Sequence, residues 1–231
     1  MPEPENKEYR LVRTNLNSQI YDILKEMIAD QRFNPGSYIN VEQLTHELRV
    51  SRTPIWEAIR KLEQEGIVIH TPHKGVQVRE LTRKMALELY EVRETMEGLA
   101  ARLGAERATA DIIGQMGKCL EAQELVVKQG DAVAYSQSDH DFHLLIYQAC
   151  ENELLKEILE GLRYKALPLA FKLAPHFSVF LDFHREILEA FRQHDGKAAE
   201  KTIKRHNRRM LEIIKTTPWG IEEDKKAVLS L

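Results

Sequence analysis

Four side chains in the C-terminal half have the donor chemistry of a metal site: Asp139 and His143 in the run SDHDFH, His184 in DFHREI, and His206 in KRHNRR. Asp139 and His143 are four residues apart, so on a helix they stand one turn apart on the same face, about 5–6 Å between Cβ atoms. His143 lies beside Phe142, Ile146 and Ala149, and His184 beside Phe180, Ile187, Leu188 and Phe191; His206 shares a helical face with Ala199, Ile203 and Met210. A lone histidine on an apolar face is ordinarily a hydrogen-bonded core residue. Three of them with a carboxylate one turn from the first reverse that reading, because an unpaired carboxylate is costly to bury. Neutral imidazoles and a carboxylate suit Zn²⁺, Ni²⁺, Mn²⁺ or Fe²⁺. Four protein ligands leave two positions on a six-coordinate ion, which the carboxylate of a small organic acid can fill. Arg93 falls on the inward face of its segment with Leu89, Met96 and Glu97. It therefore needs a partner: either Glu97, or the carboxylate of a bound effector gripped by both arms of the guanidinium. His140 points elsewhere on its helix, and His46, His70, His176 and His194 have no partner pattern.

These residues need helices to carry them, and apolar spacing from Leu81 onward predicts only helices, over about 82–107, 109–129, 131–150, 151–173, 176–193 and 195–215. Thr109, Gly130-Asp131, Ala174-Pro175 and Asp195-Gly196 mark the breaks. Short connections between six helices predict an antiparallel bundle. The chain has 231 residues, 43% hydrophobic and 30% charged, which suits a globular protein of two domains. No run reaches the ~18 apolar residues of a membrane helix, and MPEPENKEYR lacks the apolar core of a signal peptide. Cys119 and Cys150 match no metal or redox spacing, so they are expected to be reduced, in a cytoplasmic protein. Residues 1–13 read as loose and polar, and 218–231 as a C-terminal tail.

Upstream lies a different pattern. Leu16, Ile20, Ile23, Leu24, Met27 and Ile28 predict a helix over about 14–31, ended by Asn34-Pro35-Gly36. Asn40 with Gln43 three residues on reads as an N-cap opening a short helix through Glu47. Ser51 or Thr53 can cap the next helix, with Pro54 in its first turn, a buried stripe of Ile55, Ala58, Ile59 and Leu62, and Gly66 as its stop. Two short β-like runs, Ile67–Ile69 and Val76–Val78, flank a Gly-containing turn and predict a two-stranded wing. Helix, turn, helix and wing is a shape that lays its second helix in the DNA major groove. Arg49, Ser51, Arg52 and Thr53 would stand at its leading end, and His73, Lys74 and Gly75 at the wing tip. Charge gives little support: residues 1–79 hold 11 Lys/Arg against 11 Asp/Glu, and only 49–79 is basic, six against three. Affinity for DNA would have to come from local placement of charge.

The segment PGSYINVEQLTHELRVSRTPIWEAIRKLEQEGIVIHTPHKGVQV resembles the winged helix-turn-helix of GntR-family bacterial transcription regulators, with their VSRTPVREAL-type run and basic wing. By that resemblance Arg52, Thr53 and the His73-Lys74-Gly75 wing fall on DNA-contacting positions. Trp56 departs from the pattern, standing where the family usually has a DNA-contacting arginine. The remainder is similar to the all-helical FCD effector domain of the FadR-type branch, in LYEVRETMEGLAARLGA, DHDFHLLI and FHREILEAFRQHDGKAAEKTIKRH. Its helix count suits the shorter, VanR-like form. Many such members bind a divalent metal through the positions of Asp139, His143, His184 and His206, and an arginine matching Arg93 recurs among them. This favours the effector reading of Arg93.

The expectation is thus a mainly α chain: a winged helix-turn-helix over 1–79, then a six-helix antiparallel effector, metal-binding and dimerisation domain over 80–217. It would act as a homodimeric, ligand-responsive regulator, a repressor by the family's commoner mode, reading a double-stranded operator and sensing a small carboxylate. Two alternatives stand beside it. One is a metal-dependent hydrolase with an appended DNA-binding head, since a His/Asp site with open positions can activate water; no further carboxylate or histidine pairs with the site as a general base. The other is a metal that only braces the bundle.

Overall fold

The structure, a computed structural model, describes residues 15–29, 32–166, 169 and 176–217. The expected loose N-terminus, the C-terminal tail, the Ala174-Pro175 break and most of 167–173 lie outside the described residues. The chain divides into two compact units, Met1–Arg79 and Glu80–Leu231.

In the first unit, α1 (Asn15–Ala29) packs against α3 (Arg52–Gln64), and α2 (Val41–Leu48) precedes α3. The core is the apolar stripe read from the sequence: Ile20, Leu24 and Ile28 meet Leu44, Ile55, Ile59 and Leu62, all buried. The Asn40 side chain accepts from the Gln43 N–H and opens α2. Arg49 then takes a left-handed conformation (φ 53°) as the C-cap of α2, which turns the chain into α3. Ser51 is the N-cap of α3 in extended conformation, but its side chain makes no capping hydrogen bond.

The wing differs from the expectation. It has three strands in the order β1-β3-β2: β1 (Tyr38–Ile39), β2 (Val68–Thr71) and β3 (Gly75–Val78), all antiparallel. Tyr38–Ile39 is too short to show alternation, so nothing in its own pattern marks it as a strand. It pairs because the Val78 N–H donates to the Ser37 carbonyl and the Gly36 N–H to the Val78 carbonyl. Ile67 stays outside β2, buried, and accepts from the Arg79 N–H. At the tip, Pro72 and His73 occupy a turn closed by the Lys74 N–H on the Thr71 carbonyl at 3.0 Å. His73 has φ 64° there, a conformation that favours glycine.

The second unit contains six α-helices among the described residues: α4 (Arg83–Arg107), α5 (Ala110–Gln129), α6 (Ala132–Ala149), α7 (Glu153–Ala166), α8 (Phe177–Arg192) and α9 (Gly196–Thr216). α7 stops at Ala166, short of the expected continuation to 173. Capping residues fix the boundaries: Thr82, Thr109 and Asp195 each accept from the N–H three residues on, and Gly130 ends α5 at φ 69°. α4 lies along α9, with α6, α7 and α8 also against it. One apolar cluster forms around Phe142, Ile146, Leu159, Ile187 and Phe191. A second gathers Tyr90, Phe180, Met210 and Ile213. The polar side chains described next lie among these residues. No helix among the described residues is long and apolar enough to cross a membrane.

Candidate metal centre

Asp139 and His143 project one turn apart from α6, His184 from α8 and His206 from α9. One donor atom from each lies within 4.8 Å of all the others. The three imidazoles are buried, and Asp139 keeps 21% of its side chain exposed. Asp139 Oδ1 stands 3.5 Å from His184 Nε2 and 3.9 Å from His143 Nε2. These separations are too long for hydrogen bonds, and His143 Nε2, His184 Nε2 and His206 Nδ1 are buried without a partner. A buried polar atom left unpaired costs about 1–3 kcal/mol, so three of them converging beside one carboxylate oxygen are a specific oddity. A cation among them satisfies all at once, and the donor set suits one.

A neighbouring side chain fixes which nitrogen of His184 faces inward. Gln123 on α5 donates its Nε2 to the Ser138 carbonyl at 2.9 Å, so its amide oxygen is the atom that faces His184 Nδ1 at 2.8 Å. That oxygen only accepts; His184 therefore carries its proton on Nδ1 and presents the Nε2 lone pair to the cluster. Such an outer partner is the usual support of a metal-binding imidazole. His143 Nδ1 lies 3.7 Å from Glu97 Oε1, beyond hydrogen-bond distance, so no partner fixes the tautomer of this ring.

Burial pushes all three histidines towards the neutral form that ligates. It brings His184 down to about 4 and, with the neighbouring His184, His206 to about 3. His143 is likewise lowered well below its ordinary value, by burial and then by Arg163. Burial alone would raise the Asp139 carboxyl, but Arg163 and the imidazoles outweigh it and hold the group ionised.

Arg93 does what the first of its two sequence readings described. Its Nε and Nη2 donate to Glu97 Oε1 at 3.0 and 2.8 Å, with both side chains buried. Glu97 also accepts from Tyr147 Oη at 2.6 Å and from Asn207 Nδ2 at 2.6 Å. Burial would raise its carboxyl, but Arg93 and Arg163 lead the opposing effects and bring it to about 2. Sequence reasoning missed Arg163, Gln123, Tyr147 and Asn207. Arg163, on α7, donates Nη2 to Asp139 Oδ2 at 2.6 Å. His140, set aside from the sequence, accepts from Arg163 Nε at 3.4 Å, and His194 Nδ1 lies 3.0 Å from the Ala105 carbonyl.

In the first unit, Arg49, Ser51, Arg52, Thr53, His73, Lys74 and Gly75 are all exposed, the first four around the start of α3 and the rest at the wing tip. Arg52 Nη2 lies 2.8 Å from Glu42 Oε2, with both side chains more than 60% exposed (65% and 63%), so the pair is solvated and easily exchanged for another acceptor. Trp56 is half-buried and sets its ring edge-on to His70 of β2, centroids 5.0 Å apart. It thus bridges α3 and the wing.

Residues 16–78 match the family of bacterial regulatory proteins named gntR, and residues 88–209 match the FCD domain. The chain is 31% identical over 192 residues to the Bacillus subtilis HTH-type transcriptional regulator YdhC, covering 81% of this chain and 86% of that one. It is 28% identical to a probable D-xylose utilization operon transcriptional repressor of Paenarthrobacter nicotinovorans, over 85% and 88% of the two chains. It is 25% identical to the Escherichia coli HTH-type transcriptional repressor RspR, over 90% and 95%. The fold is that of E. coli McbR/YncC, with a TM-score of 0.80 at 20% identity over 88% of this chain and 98% of that one. These relatives are transcriptional regulators, not enzymes. The chain belongs to the gntR family of bacterial regulatory proteins, with an FCD domain following the DNA-binding head, and is a DNA-binding transcriptional regulator.

Proposed function

We propose that the chain is a cytoplasmic, homodimeric repressor whose operator affinity is set by a small carboxylate bound beside a divalent metal, held by Asp139, His143, His184 and His206. The buried, unpartnered nitrogens converging on Asp139 carry this reading. The ion is Zn²⁺, Ni²⁺, Mn²⁺ or Fe²⁺ by donor type; when bound, it supplies a Lewis-acidic point with open positions for an anion. Charge supports an anionic effector. Arg93 and Arg163 balance Glu97 and Asp139 within the helical unit, so a divalent ion adds two positive charges that neutral imidazoles do not offset. Arg93, already paired with Glu97, would meet the effector's carboxylate only by exchanging that partner. Two relatives named as repressors support that mode. In the head, Arg49, Ser51, Arg52 and Thr53 would meet base edges and phosphates while His73, Lys74 and Gly75 meet the adjacent backbone.

The test uses the purified full chain. Zn²⁺ titration should give one tight site per chain, lost in the double variant His143→Ala/His206→Ala, and a carboxylate panel should shift both the melting of the Zn²⁺-loaded protein and its operator affinity. Full occupancy in the double variant removes the site. Metal binding with no response of operator affinity to any carboxylate leaves the metal as a brace alone.

A further inference from the structure

We infer that Arg163 is a positioning residue for the metal centre: its guanidinium holds Asp139 so that one carboxylate oxygen alone faces the ion. The inference rests on the metal reading above. It starts from how the two oxygens of Asp139 are used. Oδ2 accepts from Arg163 Nη2 at 2.6 Å, a charge-assisted bond, while Oδ1 faces His184 Nε2 and His143 Nε2. A carboxylate free to rotate can offer either oxygen, or both together.

Arg163 removes that freedom, because it is itself held. Its side chain is only 9% exposed. It projects from the face of α7 that buries Leu155 and Leu159, eight and four residues earlier, and its Nε donates to His140 Nδ1. His140 follows Asp139 directly on α6, so α7 grips the start of the ligand-bearing turn at two points. A lysine at this position would keep the charge but not the fork, since an ammonium lacks the planar pair of donors that reaches Asp139 and His140 together. Ligation through a single oxygen keeps coordination positions on the ion open, which a two-oxygen carboxylate would fill.

The experiment compares wild type, Arg163→Lys and Arg163→Gln as full-length chains, with Zn²⁺ affinity measured by chelator competition and the visible spectrum recorded after Co²⁺ loading. Arg163→Gln should weaken Zn²⁺ binding roughly 10–100-fold, the usual cost of removing an outer partner of a ligand. Arg163→Lys keeps the buried charge and should preserve the melting temperature of the metal-free protein. It should still change the Co²⁺ ligand-field bands, a readout that a purely structural role leaves alone. Wild-type affinity and an unchanged Co²⁺ spectrum in both variants would overturn the inference while leaving the metal site standing. Absence of any Zn²⁺ or Co²⁺ binding by wild type would overturn both.

Discussion

Freed of any bound metal by a chelator, the helical unit should be acid-labile in a window set by its buried imidazoles. His184 and His206 are held down to about 4 and about 3, and His143 well below its ordinary 6.5, by burial in each case. Unfolding returns each to an ordinary value near 6.5. Below that value the unfolded chain binds protons that the folded one refuses. Stability is therefore complete above pH 6.5 and falls as the pH drops towards the folded values. At pH 5 His184 and His206 each cost about 2 kcal/mol relative to pH 7.5, about 4 kcal/mol together, and His143 adds to the loss in the same direction. That is a large part of the whole stability of many domains, about 5–15 kcal/mol. Glu97 and Asp139 have depressed folded values, so their contribution is retained above the ordinary carboxyl range and lost only below it. The interval from pH 7.5 to 5 thus isolates the histidines. Urea unfolding followed by far-ultraviolet circular dichroism, repeated at half-unit steps, measures the slope. The variant His206→Leu should reduce the loss by about 2 kcal/mol. A wild-type loss below about 2 kcal/mol, or the same slope in His206→Leu, would refute the claim that these rings are held neutral in the fold.

The other expectations follow the same geometry. Zn²⁺ at one hundred times its dissociation constant should stabilise the chain by about 2.7 kcal/mol, roughly 5–10 °C in Tm for a protein of this size; a scanning-calorimetry trace unmoved by Zn²⁺ would contradict it. Glu97→Gln leaves Arg93 buried without its counter-charge and should cost about 3–5 kcal/mol in urea titration; a neutral effect would mean that the pair is not buried in solution. Arg52→Ala should weaken binding to the chain's operator by about 1–3 kcal/mol with Zn²⁺ content unchanged. A matched loss of metal in that variant would show that the two modules are not independent.

The sequence made the Asp/His cluster legible because it announces itself twice: by residue type, and by placing charged or imidazole groups on apolar helical faces. The same signal marked the residues that were missed. Arg163 continues the buried stripe of Leu155 and Leu159, Gln123 that of Met116 and Leu120, and Asn207 that of Ile203, so each is a polar group where its helix turns inward. What periodicity cannot supply is the partner. Whether Asp139 meets an imidazole or Arg163 depends on which helices neighbour one another, and α7 beside α4 and α6 is a tertiary fact. The head shows the same limit. Its helices and caps followed from local pattern, whereas β1 exists only because β3 offers it an edge.

These partners bear on what the polar interior is for. Replacing a buried ion pair by well-packed apolar side chains is often neutral or stabilising, so a bundle built only for rigidity gains little from two of them. The two here are not scattered. Arg93–Glu97 flanks the imidazole of His143, and Arg163 flanks the carboxylate of Asp139. Gln123 completes the ring at His184. Two of these groups act on a particular candidate ligand atom: Gln123 fixes the tautomer of His184, and Arg163 occupies one oxygen of Asp139. A brace that only joins helices would tolerate either tautomer and either oxygen. Selection among them matters when the open side of an ion must meet a ligand in one orientation, as it would in the carboxylate-sensing function proposed above.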